Sequence, residues 1–432
     1  MSLLTSSSKR PGIAAPLRPP LAFLGALLGA HALAAAGTAQ EAPALDLAAL
    51  LAAHSPVAKG IVEAADAHRL QVLVAEVVEG PGGAQTLRRT RLGSPDAYFY
   101  PASSIKTAAA VAALEFLNEL NAERGLPFGL TTELAYAPLF EDEEFEDADP
   151  SNLDGGRITV GHEIRKLSIV SDNRAYNRLY ELVGQERLDA TLLRAGFPSF
   201  HLVHRLSEAR TVEQNRQLPS IALRDPGSET VFTLPARSTK PLPPPAEHPS
   251  LLCGRAWVGG DDVRHEEPFR FHDKNRVDLL ELQDFLVELV RPEIDTGRRG
   301  FPGLTVDQRA FLLEAMASLP RASANPAYDP EKYTDDYVKF LLPGLARVVP
   351  AQHLRIWNKV GLAYGFTIEN AYVEDARTGR GFFVAVALYT NPNETLNDGA
   401  YGYDELAFPF HAAVGEVLAQ QLLAPRSAER PR

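Results

Sequence analysis

Three short runs carry side chains able to make and break an acyl bond: Ser103-Ser104-Ile105-Lys106, Ser171-Asp172-Asn173 and Lys359-Val360-Gly361. Before the first, a strand-like aromatic run (Tyr98, Phe99, Tyr100) is stopped by Pro101. An Ala/Leu-rich segment then runs from about Ser103 to Gly125 with no Gly or Pro between, which predicts a buried helix beginning at Ser103. Lys106 lies three positions on, on the same face of the first turn, near enough when neutral to take the serine proton. Unpaired N–H groups and the positive end of the helix dipole favour an alkoxide on Ser103 and oppose the ammonium form of Lys106. Alone, Ser-x-x-Lys arises by chance about once in a chain of this length, and an N-capping serine beside a solvated lysine would read the same way.

The other two runs change that balance. A Ser-Asp-Asn triplet is expected by chance in roughly one such chain in twenty, although all three residues also favour helix starts. The three runs in this order resemble the serine β-lactamase and penicillin-binding protein superfamily, and within it the class A β-lactamases. Ala102 before the serine, Asn177 after the triplet, and paired strands with a last helix after Lys359 extend the likeness over most of the chain.

The resemblance implies a mixed α/β fold of α+β type: an antiparallel sheet flanked by terminal helices, an all-helical subdomain, and the active site between them. It also implies roles. Ser103 would attack an amide carbonyl, Lys106 or a water-borne carboxylate would take its proton, and Ser171 would pass a proton to the departing nitrogen. Asn173 would bind the substrate amide, and Lys359 would hold Ser171 and attract a substrate carboxylate. The oxyanion would sit between the backbone N–H groups of Ser103 and Leu362, the latter following Gly361 of the third run.

Two departures from the family pattern bear on substrate and turnover. Val360 stands where family members carry Thr or Ser, so a hydroxyl that would contact the substrate carboxylate is missing. A hydrogen bond to a charged group is worth about 1.5–3 kcal/mol, so classical β-lactams lose one to two orders of magnitude in affinity. Class A enzymes also place a Glu, with an Asn four positions on, to activate the deacylating water. The matching stretch, His204 to Asn215, offers Glu208 at the better distance from Ser171 and Glu213 beside Asn215, without that spacing. Glu208 is the expected base; without a well-placed one the acyl-enzyme would persist.

The elements that must position these groups follow from periodicity and punctuation. Pro56 to Leu70 reads as an amphipathic helix and Gln71 to Glu79 as a strand, returned tightly at Gly80–Gly83. Glu141 to Asp149 reads as a solvated acidic loop; a calcium loop from Asp147 fails for lack of the turn Gly and the final carboxylate. Helices are expected from a Thr159 cap to Leu167, from Ala175 to Val183 with a stop at Gly184, from Asp278 to Val290 and from Leu304 to Leu319. A Pro-rich insertion over 225–275 reads as loop and hairpin. Strands are expected over Leu354 to Glu374, interrupted by Gly361 and Gly365, and over Gly381 to Asn391, before a closing amphipathic helix from Tyr403 to Leu423.

Lys9, Arg10 and Arg18, an apolar run from Leu21 to Ala36, and small residues after it have the order of a secretory signal, expected over 1–39. The hydrolase domain is then 40–425, with a disordered tail over 426–432. The expected location is secreted or periplasmic, with no membrane contact after signal removal. One cysteine, Cys253, permits no intrachain disulfide and, with no Cys pair and no His-Glu-x-x-His, no metal site is expected; His201 and His204 read as ordinary histidines. A net charge of −12 argues against nucleic acid. The expected partner is a small molecule, a β-lactam or a peptidoglycan-like peptide, bound by a monomer without cofactor. Beside a β-lactamase, the same residues allow a D-Ala-D-Ala peptidase or related amidase, or a catalytically silent protein that binds peptidoglycan or a partner.

Overall fold

The computed structural model describes residues 45–243 and 247–424, so the signal expected over 1–39 and the tail over 426–432 lie outside the described residues. The helices of eight residues or more and the strands of the main sheet are numbered below in chain order.

Helices α1 (Leu47–His54) and α2 (Pro56–Glu63) start on side-chain caps, Asp46 accepting from the Ala49 amide and Ser55 from the Ala58 amide. The periodicity predicts α2 through Leu70, but it stops at Glu63. Residues 64–69 turn instead, ending on Arg69 at φ 44°, because the chain must reverse into strand β1 (Gln71–Glu79). β1 hairpins to β2 (Gln85–Gly93), and the C-terminal strands β3 (Leu354–Ala363), β4 (Phe366–Asp375) and β5 (Arg380–Tyr389) complete an antiparallel sheet of order β3-β4-β5-β1-β2. The hydrophobic run of β1 is explained by burial on both faces. Leu73 and Ala75 face the core around the Ser103 helix, while Val72 and Val74 face α1, α2 and the last helix, α9 (Phe408–Leu418).

That Ser103 helix is α3 (Lys106–Arg124), entered through a 3₁₀ turn over Ala102–Ile105, so the regular helix begins three residues later than the sequence predicts. α3 is apolar almost all round and buried along nearly its whole length, ending at Gly125 with φ 67°. Around it pack α4 (Val160–Ile169, capped by Thr159), α5 (Asn173–Val183, capped by Asp172) and α6 (Gln185–Ala195). α7 (Leu279–Val290) lies on β4 and β5, and α8 (Val306–Ala317) starts at a Thr305–Gln308 capping box.

The α+β arrangement is as expected, with three local corrections. The part expected to be all-helical also carries a small sheet of Glu133–Tyr136, Ile221–Arg224 and Val231–Leu234, whose Tyr136 hydroxyl donates to the Arg178 carbonyl of α5. The insertion carries short antiparallel pairs, as the loop-and-hairpin reading expects, and the strand over Val231–Leu234 ties it to this small sheet. The acidic loop is not solvated throughout: Glu146 pairs with Arg174 and Arg178, and Asp149 with Lys166, because α4 and α5 present their cations to it. Gly361 does not interrupt β3; it lies inside the strand for a packing reason given below. The C-terminal segment is helical as expected, with wider π-type turns over Tyr403–Ala407 and Ala419–Leu423.

Candidate active site

The turn that carries the candidate nucleophile Ser103, the nucleophile turn, is fixed by its own backbone. Ala102 takes φ 47°, and Ser104 returns both its amide (3.0 Å) and its hydroxyl (2.7 Å) to the Pro101 carbonyl. Ser103, between them, is half-buried, and its Oγ makes no hydrogen bond among the described residues. It stands where two cavities of about 720 and 810 Å³ meet.

Lys106, at the start of α3, is fully buried, with Nζ turned to the start of α5. It donates to the Ser171 carbonyl, to the Asp172 carbonyl at 3.1 Å and to Asn173 Oδ1 at 2.7 Å, and lies 3.4 Å from Ser171 Oγ. Ser171 adopts φ 61°, which turns its backbone so that carbonyl and hydroxyl both meet the lysines. Lys359, from β3, donates to Ser171 Oγ at 2.7 Å. Ser171, Asn173, Lys106 and Lys359 are thus one hydrogen-bonded group, with Ser103 open beside it.

Burial works against the ammonium form of both lysines. Burial, then the neighbouring Lys359 charge, pushes the Lys106 ammonium well below its usual range, while Asp172 and the three acceptors on Nζ act the other way. Burial brings Lys359 down to about 7 against the pull of Glu369. Beneath it runs a buried chain: Lys339 Nζ donates to Asn358 Oδ1 at 2.7 Å, and Asn358 Nδ2 donates to Glu369 Oε1 at 2.5 Å. Burial raises the Glu369 carboxyl and lowers Lys339, each opposed by its partner's charge.

Of the two candidate carboxylates, Glu208 borders the second cavity with Ser103, whereas Glu213 is 62% exposed at its side chain and paired with Arg216. Glu208 Oε1 accepts from Asn177 Nδ2 (2.7 Å) and from Arg174 (3.3 Å), while Oε2 makes no hydrogen bond among the described residues and has Arg205 and Arg210 each at 3.8 Å. Asn177 also holds both backbone groups of Leu206, at 2.8 and 3.0 Å. Ser207, at φ 55°, accepts from Asn173 Nδ2 at 2.7 Å. Five non-glycine residues with left-handed backbone border these cavities: Ala102, Ser171, Ser207, Tyr364 and Asn397. Such conformations cost on the order of 1–3 kcal/mol each and gather where function over-determines the backbone.

Gly361 and Leu362 lie on β3 beside the nucleophile turn, and Leu362, 41% exposed, borders both cavities. Val360 borders the first. His204 is half-buried and stacked on Tyr100, and desolvation lowers both His204 and His201 to about 4. Among the described residues no group of three His, Cys, Asp or Glu is placed to hold a metal ion.

Several lining residues escape sequence reasoning. Ser207 has only its place after a conspicuous Arg205-Leu206 pair to mark it. Phe340 and Phe408 come from segments read as loop and terminal helix. Lys274, from the end of the insertion, borders the second cavity and makes no salt bridge among the described residues; its position before Asn275, whose Oδ1 accepts from the Val203 amide at 2.7 Å, is the only signal.

A family model described as the Beta-lactamase enzyme family matches residues 87–233. That stretch holds Ser103, Lys106, the Ser171–Asn173 triplet and Glu208, but not Lys359, and it agrees with the superfamily resemblance read from the three runs. Among solved structures the chain is similar to a beta-lactamase from Desulfarculus baarsii DSM 2075, at 18% identity over 89% of this chain and 100% of that one, with a TM-score of 0.47. It is similar also to a beta lactamase from Xanthomonas campestris pv. campestris (16%, 87% and 98%, TM-score 0.47). A third, a beta-lactamase from Burkholderia ambifaria, gives 17%, 86% and 100%, with a TM-score of 0.46. No curated protein matches the chain in sequence.

Proposed function

We propose that the protein is an exported serine hydrolase of class A β-lactamase type that opens β-lactam amides through an acyl-serine. The observation that carries this reading is the Ser171 hydroxyl, 2.7 Å from Lys359 Nζ and 3.4 Å from Lys106 Nζ, beside an unengaged Ser103 hydroxyl. Ser103 Oγ attacks the carbonyl carbon and its proton passes to neutral Lys106. The oxyanion is held by the Ser103 and Leu362 N–H groups. When the C–N bond breaks, Ser171 gives its proton to the nitrogen and is resupplied from the lysines. Water, deprotonated by Glu208 in the second cavity, then attacks the ester, releasing the acid and restoring Ser103.

A second reading has an observation of its own. Glu208 is held by Asn177 and Arg174, which compete for the lone pairs a base must offer, so deacylation is slowed and the protein behaves as a D-Ala-D-Ala peptidase or related amidase. Intact-mass spectrometry after mixing with millimolar penicillin decides among the readings. An adduct of the antibiotic's mass, absent in Ser103→Ala, supports the acyl-serine step. A transient adduct with turnover identifies a β-lactamase and a lasting one a peptidase-type protein. No adduct at millimolar penicillin leaves a silent binding protein or a hydrolase of some other amide or ester.

A further inference from the structure

The two cavities that meet at Ser103 differ in the chemistry of their walls. The first, about 720 Å³, holds no Lys or Arg; its walls include Val338, Phe340, Val360, Phe408 and Ala412, and Val338, Phe340 and Val360 pack as one apolar cluster with Phe408 against it. Lys359, next to Val360 in the strand, does not border this cavity, its Nζ being turned to Ser171 Oγ and the Val360 carbonyl. The charged side chains that border this cavity are the exposed Asp336 and Asp404. A carboxylate placed in it would lose water without gaining a cation and would face two like charges.

The proton donor and the candidate base also divide between the cavities. Ser171 borders the first and not the second; Glu208 borders the second and not the first. A leaving group that takes its proton from Ser171 must therefore enter the first cavity, and the acyl group lies toward the second, where Lys274 stands.

Resting on the acyl-serine reading, we infer that the preferred substrate is an amide or ester whose leaving group is uncharged and apolar and fills the cavity beside Val360, with any anionic group on the acyl side facing Lys274. The volume is that of a small-molecule pocket, and one methylene in full contact with such a site is worth roughly tenfold, so a longer chain that only partly fills it still gains about tenfold overall.

The test is a set of phenylacetate esters of methanol, butanol and hexanol, together with the ester of 6-hydroxyhexanoate, followed by proton release. These alcohols leave with similar intrinsic reactivity, so differences report the cavity. The expected result is a kcat/KM that rises about tenfold or more from methyl to hexyl ester, is lost in Ser103→Ala, and falls at least as far again when the chain ends in a carboxylate. Ala412→Phe, which narrows the cavity, should lower the hexyl-to-methyl ratio; the series on the native protein does not depend on that variant folding. Ser103-dependent turnover that is flat along the series, or higher for the carboxylate ester, overturns the inference and leaves the acyl-serine reading standing. A penicillin adduct on Ser103 without turnover of any ester does the same. Absence of both adduct and turnover removes the two together.

Discussion

A Cβ built on Gly361 would stand 2.3 Å from the Pro101 carbonyl oxygen and 3.1 Å from the Ser104 amide nitrogen. β3 thus seats the nucleophile turn directly against its own backbone, and the glycine of the third run is required by this contact. Gly361 does not sit at a left-handed φ.

Gly361→Ala should therefore push the turn off the strand. Overpacking of this kind costs about 1–3 kcal/mol, and the displaced turn carries Ser103. The expected outcome is a lowered melting temperature and an acylation rate by penicillin reduced more than the stability loss alone explains. A variant that acylates at the native rate would show that the contact does not position Ser103.

Lys359 gives a pH test with a defined sign. Its folded value of about 7 lies below the ordinary 10.5, so between those values the folded state binds fewer protons than the unfolded chain, and this group makes stability rise with pH. Lys359→Met removes that rise. Urea unfolding at several pH values should show the native protein gaining on the variant by up to about 1.4 kcal/mol per pH unit above 7. Because the Lys359 charge also lowers Lys106, the acid limb of the acylation profile should move to higher pH in the variant. A constant difference between native and variant would mean that Lys359 stays charged in the folded protein.

Glu208 and Glu213 are separable by the same substitution. Glu208→Gln should leave the penicillin adduct forming at a near-native rate and lengthen its lifetime by about 10²–10⁴, the usual contribution of a general base. Glu213→Gln, on an exposed side chain paired with Arg216, should change neither rate. An unaltered adduct lifetime in Glu208→Gln would assign deacylation to the lysines. Asn177→Ala should cost about 1–3 kcal/mol for each Leu206 backbone group left unpaired and should also lengthen the lifetime by releasing the loop that carries Glu208.

The parts of this fold legible in the sequence are those set by local chemistry. The Thr159 cap, the stop at Gly125 and the apolar run of β1 each follow from a few neighbouring residues. The three runs that meet at the candidate site were legible for the same reason, since each is a short spacing with a chemical use. What was not legible depends on partners far along the chain. The acidic residues of 141–149 read as solvated because their cations sit on α4 and α5. Arg205, fully buried on Glu181, and the Lys339–Asn358–Glu369 chain beneath Lys359 leave no mark in the sequence for the same reason. The apolar wall beside Ser103 is built from segments around residues 340, 360 and 408, whose adjacency only the fold creates.

Val360 joins that wall to the chemistry. It is 4% exposed, packed with Val338 and Phe340, and it borders the cavity with Ser103 and Ser171. Val360→Thr places a hydroxyl there at nearly constant volume. Left without a partner in the apolar cluster, the hydroxyl costs about 1–3 kcal/mol, so the melting temperature should fall. A penicillin carboxylate can accept from it, and a hydrogen bond to a charged group worth about 1.5–3 kcal/mol should raise the second-order acylation rate about tenfold or more. The preference for a hexyl over a methyl leaving group should fall in the same variant, because the wall has become polar. Reading the acylation rate and the hexyl-to-methyl ratio together ties the two effects to one side chain. A variant that loses stability but changes neither would place the carboxylate and the apolar leaving group away from Val360.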